Sequence, residues 1–422
     1  MMTGRQKAGT RWLDRGQKIL LAEGALAAML YALSTGNFMA GYLGSLGAAP
    51  GQIAMIAMVP QLGCVLQLFT PLFFERRSHR KGGIILFCFL FRFLAGAVVL
   101  APYLFRGRAQ LDCAFALYAV AFLSAGFVTP ALNQWIIQIA PLENRGQYFA
   151  VKDIAAQLVT AAAAFGMGRM LDAAMAAGNA RLGFSVIYGA CVVGSLVDLW
   201  LMLQLPDCRS EPMPDIRAAD LLAPLRDRNF RPLLTYELIG YLGSMFSAGF
   251  LSTYQLNVLG LTHTFITSVG MVSSVVSMGC IFLWGRLADR TYWTSVVLAT
   301  KCLSALSLLG WWLLPVSRAE TIAPVLMILT AVCGASSMCG VNLLYDHSPA
   351  EGKTTYLGVT AALGSLLGYG AALVGSGVQH SLETSMGGAS IALLFAVSGG
   401  ILLLDVGYGF WRLPRKRPPL DR

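Results

Sequence analysis

Apolar residues run along this chain in long blocks, and the polar residues gather in short turns between them. Twelve blocks stand out, over residues 19–42, 51–74, 82–104, 111–135, 151–171, 182–205, 232–256, 264–284, 294–314, 321–345, 355–378 and 388–410. A helix needs about 20 apolar residues to cross the hydrocarbon of a bilayer, and most of these blocks reach that length. Blocks five and twelve are interrupted, by Arg169 and Asp405. Many blocks are rich in glycine and alanine, which lets membrane helices approach closely. The pattern predicts an all-α membrane protein with twelve transmembrane helices.

The longest polar stretch, "PDCRSEPMPDIRAADLLAPLRDRNF", separates six blocks from six. It divides the chain into an N-terminal six-helix bundle over 1–205, a cytoplasmic linker over 206–231, and a C-terminal six-helix bundle with its tail over 232–422. Within the linker, residues 216–225 read either as a short amphipathic helix or as coil.

Composition agrees with the pattern. The chain has 422 residues, 56% hydrophobic and only 12% charged, with a mean hydropathy of +0.64. A soluble protein of this size would carry more charge on its surface. The net charge of +10 would suit a nucleic-acid binder, but its placement excludes that. The lysines and arginines sit in turns between spans, with 24 on one side of the membrane and only Arg106, Arg108, Arg181 and Arg318 on the other. Basic loops stay in the cytosol, so both termini and the linker are expected there, in a multi-pass protein of the inner (cytoplasmic) membrane. The apolar run after the polar first eighteen residues is too long for a cleaved signal and reads as the first span. Cys64, Cys88, Cys191, Cys280, Cys302, Cys333 and Cys339 lie inside apolar blocks with no CxxC pair and read as small buried hydrophobes. Neither a metal site nor a cofactor is expected.

The halves also repeat. The turn after block two reads "FFERRSHRKGG" and the turn after block eight "LWGRLADRTYW"; a shift of 210 lays Arg76 on Arg286 and Arg80 on Arg290. "PLENRGQYFAV" after block four matches "PAEGKTTYLGV" after block ten, and a shift of 208 pairs Glu143 with Glu351, Arg145 with Lys353, and Tyr148 with Tyr356. Parallel six-helix repeats are one known transporter architecture.

On these motifs the chain resembles the major facilitator superfamily (MFS) over nearly its full length. That family's signature is a Gly-x-x-x-Asp-Arg turn after the second span, often echoed after the eighth. Here the echo is the better copy, with Gly285, Asp289 and Arg290, while Glu75 and His79 replace the glycine and aspartate of the first turn. The "PLENRGQYFA" turn resembles one found in bacterial members. The resemblance implies the MFS fold, two pseudo-symmetric six-helix bundles, and secondary active transport of a small solute by alternating access in a functional monomer. An ion gradient, of protons or sodium, or the solute's own gradient would drive it. It also implies a cytoplasmic gate at Arg76, Arg80, Arg286, Asp289 and Arg290, with Glu143, Arg145, Glu351 and Lys353 as a second layer. A carboxylate at such a helix end accepts charge-assisted hydrogen bonds from arginine or from free backbone N–H groups; topology anchoring alone is the other reading.

Ionisable residues inside spans are costly and mark partners or cavities. Arg92 lies near mid-bilayer and must meet a carboxylate or an anionic substrate. Glu23 either snorkels to the cytosol or faces a cavity, and Arg169 reads as interfacial. Asp198 and Asp405 read as structural pairs or as near-interface groups. Glu237, in a span that lines the pathway in this family, is the candidate for proton or cation coupling, with a closed structural pair as the alternative. Asn37, Asn133, Gln134, Gln157 and Asn342 could orient a polar solute or join helices, as could Tyr254, Gln255 and Asn257. Trp135, Trp311 and Trp312 sit near block ends, where interfacial aromatics belong. The fifth block lacks the proline of the family's drug–proton antiporters. No filter-like loop, Walker A sequence or ligand-spaced His/Cys set points to a channel, a pump or an enzyme. A non-transporting receptor or scaffold on the same fold is the alternative function.

Overall fold

The computed structural model describes residues 13–74, 79–141, 145–207, 223–334, 337–349 and 353–413, and these are overwhelmingly helical. Inside hydrocarbon every backbone N–H and C=O must be satisfied within the segment, and a helix does this. Span 1 is a bent pair, Arg15–Leu33 and Gly36–Ser45, with 40° between its parts. Spans 2 to 6 are Pro50–Phe69, Lys81–Leu104, Arg108–Ile139, Arg145–Ala176 and Ala180–Leu203. Span 7 is Arg231–Ala248, continued by Leu251–Thr253 and a π-turn over Tyr254–Val258. Span 8 is His263–Thr291, span 9 Trp293–Leu313, span 10 Ala319–Gly334 with Ser337–His347, span 11 Lys353–Met386 and span 12 Ala389–Arg412. Among the described residues, ten helices are long and apolar enough to cross a bilayer by themselves, and the bent pair makes eleven. Span 7 completes twelve; Arg231 and Glu237 lower its hydropathy.

The bend in span 1 has a local cause. Ser34 Oγ and Thr35 Oγ1 both donate to the Tyr31 carbonyl, at 3.1 and 2.8 Å, and so compete with the backbone ladder. Calling the end with the charge-rich turns the inner end, each half packs one apolar cluster at each end. In the N-terminal half Phe38, Tyr42, Phe184 and Tyr188 fill the outer end, and Phe74, Val128, Trp135 and Met202 the inner. In the C-terminal half Phe250, Tyr254, Trp311 and Phe395 are outer, and Phe230, Tyr236, Val296 and Leu343 inner. Ala54 of span 2 belongs to the outer cluster of the other half, so the halves interlock there.

Two expectations change, and a third lies mostly outside the described residues. Trp135 and Trp311 are core residues and not interfacial ones: both are buried, and the Trp135 indole donates to Pro206 O at 3.0 Å. Span 5 begins at Arg145, ahead of the predicted block, which places Arg145 inside a helix instead of in a turn. Most of the linker segment 216–225, read as a short helix or as coil, lies outside the described residues, which resume with the short helix Ala223–Arg226.

Candidate functional site

At the outer end the two halves are joined by polar contacts. Span 8 starts at an N-cap, Thr262, whose side chain accepts from Phe265 N at 3.1 Å. Two further N–H groups of that first turn, His263 N and Thr264 N, donate to the Asp172 carboxylate of span 5 at 3.1 and 2.7 Å. A helix start presents unpaired N–H groups and partial positive charge, and a carboxylate satisfies both. The His263 ring stacks on Phe38 with centroids 5.9 Å apart, and its Nδ1 lies 3.3 Å from Asn37 Nδ2. Alongside, Gly249 of span 7 lies so close to span 2 that a Cβ there would stand 2.6 Å from Ala54 O.

Two charged clusters lie deeper. In the N-terminal half Arg92 of span 3 reaches Glu23 Oε1 of span 1 at 2.7 Å with Nη2, and Asp198 of span 6 with Nη1. Their side chains are only 4%, 3% and 1% exposed. In the C-terminal half Lys301 of span 9 bonds Asp405 Oδ2 of span 12 at 2.7 Å, and its Nζ stands 3.5 Å from the centre of the Tyr236 ring of span 7. Next to Tyr236, Glu237 is half-buried, with no hydrogen bond or ion pair among the described residues, yet within electrostatic reach of Lys301. Spans 1, 3 and 6 in one half thus correspond to spans 7, 9 and 12 in the other.

The eight pathway candidates do not converge on one site. Glu23 and Arg92 are withdrawn into the buried cluster, so Glu23 does not snorkel, and Arg92 meets carboxylates rather than open space. Asn37 belongs to the outer seam. Gln134 accepts from Arg80 Nη1 at 3.1 Å within the same half. Asn133 and Gln157 expose their amides, Asn342 and Glu237 are half-buried, and such groups in spanning helices face water or polar neighbours rather than lipid. Asp198 and Asp405 are paired structurally, and Arg169 is exposed near the outer end of span 5.

At the inner end, Arg286 and Arg290 are exposed on span 8, which also carries Asp289. Arg80 is buried. Arg145 and Lys353 begin spans 5 and 11, and Arg76, Glu143 and Glu351 lie outside the described residues. The repeat-paired tyrosines have matched contacts: Tyr148 OH donates to Gln17 O at 2.9 Å, and Tyr356 OH to Asp227 Oδ2 at 3.2 Å. Gln17 and Asp227 are themselves 210 positions apart.

Sequence reasoning missed Lys301, Asp172 and Asp346, the last of which accepts from Trp293 Nε1 at 3.1 Å. Lys301 was detectable from its position, 209 residues after Arg92. Asp172 gives no such signal, because its partners are backbone groups 91 and 92 positions away.

A family model for the Major Facilitator Superfamily matches residues 24–373. No curated protein matches the chain. Among solved structures, the nucleoside transporter NupG is 11% identical with a TM-score of 0.68, over 96% of this chain and 100% of that one. The xylose transporter XylE from E. coli, in a partially occluded inward-open conformation, is 12% identical with a TM-score of 0.68, over 96% and 99%. A bacterial homologue of the human lysosomal transporter Spinster, inward-facing and occupied, is 12% identical with a TM-score of 0.66, over 94% and 97%.

Proposed function

The chain belongs to the Major Facilitator Superfamily and is a membrane transport protein for a small molecule, and from that premise we propose that it works by alternating access, with Glu237 coupling solute movement to protons. The observation that carries this reading is the outer seam. Asp172, His263, Thr264 and Asn37 hold the two halves together through a few hydrogen bonds at one end. Alternating access needs a closure of this kind, strong enough to seal one side and small enough to break in each cycle. Glu237 suits coupling because it is an ionisable group in a span with no committed partner. The charge bias places both termini on the cytosolic side of the inner membrane, and Arg286, Asp289 and Arg290 at the opposite gate from Asp172. NupG carries a nucleoside and XylE carries xylose; two cargoes on one fold leave the solute of this chain to its own cavity residues.

The test is flux. Purified protein in lipid vesicles, offered a panel of radiolabelled sugars, nucleosides and peptides, should accumulate one class under an inward proton gradient. Glu237→Gln should abolish gradient-driven accumulation and keep solute exchange. A sodium gradient driving uptake with full activity in Glu237→Gln would remove the proton role. Saturable binding of a solute with no flux under either gradient would favour a receptor.

A further inference from the structure

The two charged clusters are repeat-related, and their difference assigns Lys301 a role. Lys301 follows Arg92 by 209 positions, Asp405 follows Asp198 by 207, and Glu237 follows Glu23 by 214. The first two fall on the repeat of the turns, and the third is displaced by roughly one helical turn. Each half therefore has one cation and two carboxylates in this set, a net charge of minus one when all are ionised. Burying an uncompensated charge is costly, and a bound proton is the simplest remedy.

The halves meet this demand differently. Arg92 engages both its carboxylates at once, in a site closed to water. The forked, delocalised guanidinium suits that bridging. Lys301 has a compact ammonium and engages only Asp405; its side chain is 19% exposed. Buried atoms without a hydrogen-bond partner among the described residues occur in both clusters, Asp405 Oδ1 and the Tyr236 hydroxyl in one, Asp198 Oδ1 and Arg92 Nε in the other. Glu237 is half-buried and has no hydrogen-bond or ion-pair partner among the described residues. Gly240, one turn on from Tyr236, keeps the path clear: a Cβ there would collide with Lys301 Nζ and stand 3.1 Å from Asp405 Oδ2.

We propose that Lys301 is the positioning residue of the coupling site, a tethered ammonium shared between Asp405 and Glu237, while the Arg92 cluster is its fixed counterpart. When Glu237 holds a proton, the ammonium stays on Asp405. When Glu237 releases that proton to cavity water, the ammonium is drawn toward the new carboxylate and span 9 shifts its tie from span 12 toward span 7. No other bond changes. The titratable groups within electrostatic reach of Glu237 are Lys301 from span 9, Asp405 from span 12, and Tyr236 and Tyr241 from its own span. Span 11 packs Gly364 and Gly368 against Tyr241 instead of a charge.

This rests on the proton-coupled reading, but its test needs no solute. Infrared difference spectra of the full-length protein in lipid, titrated in light and heavy water, should show one exchangeable protonated carboxyl band. Glu237→Gln should remove it. Asp405→Asn frees the ammonium for Glu237 and should move the loss of the band to lower pH, by roughly a tenfold change in proton affinity or more. Lys301→Arg, whose fork can bridge Asp405 and Glu237 as Arg92 bridges its pair, should also move the loss of the band to lower pH, and Arg92→Lys should leave the band unchanged. A band that survives Glu237→Gln, or that ignores Asp405→Asn, overturns the proposal, as does the absence of any titrating band in the wild type. Failure of the transport reading would appear in vesicle flux, with these spectra intact.

Discussion

The Arg92 cluster and the Lys301 cluster occupy matching places in the two halves, and one is closed where the other is open. Arg92 binds both of its carboxylates, whereas Lys301 binds one and leaves Glu237 without an ion pair among the described residues. The residue types explain the difference. A guanidinium presents five donors in a rigid fork and loses little by bridging, while an ammonium is a mobile point charge on a flexible stem. On the proposed reading, the repeated bundle keeps one copy of the cluster as a tie between helices and leaves the other free to answer a proton.

The largest expected effect comes from breaking the closed copy. Arg92→Met leaves Glu23 and Asp198 buried without a cation, and removing one partner of such a set costs about 3–5 kcal/mol. Thermal unfolding in detergent should show a strong loss of stability or little folded protein. Lys301→Met strands one buried carboxylate, Asp405, where Arg92→Met strands two, and should cost less, about 1.5–3 kcal/mol for the lost charged hydrogen bond. Equal losses in the two variants would erase the distinction between the clusters. Next in size is the outer seam. Asp172→Ala removes a charged acceptor from two N–H groups of span 8, each bond worth about 1.5–3 kcal/mol. Thiol labelling of cysteines placed on the outer faces of spans 5 and 8 should speed up at least tenfold, while an inner-end cysteine slows. Smallest are the tyrosine ties. Tyr148→Phe should cost about 0.5–1.5 kcal/mol, for a neutral acceptor at Gln17 O, and Tyr356→Phe about 1.5–3, for the Asp227 carboxylate. The order of the two in a melting series checks the assignment.

Much of this architecture was legible in the sequence because membrane thickness fixes the length of an apolar helix, and because the basic turns repeat at a nearly constant offset. Span 7 shows the limit of hydropathy: Arg231 and Glu237 pull it below the others, yet it packs against spans 11 and 12. Trp135 and Trp311 show the limit of position along a span, since a tryptophan near an end belongs to the interface only where no neighbouring helix covers it. Site residues were harder. Arg92 and Glu23 were visible as intramembrane charges, but their mutual contact spans 69 positions and depends on how spans 1 and 3 pack. Lys301 hides in an apolar block with its partner 104 positions on, and only the repeat points to it. Asp172 acts on backbone groups, which have no residue signature.

The most direct test of the account follows the outer seam while the charge on Glu237 changes. Spin labels at Asn179 and Ser317, exposed on outer turns of the two halves, on a background without native cysteines, report the separation of the halves in lipid nanodiscs. The account predicts two separations whose proportions shift with pH, and a Glu237→Gln variant whose proportions no longer change. A single short separation at every pH, persisting in Asp172→Ala, would contradict it.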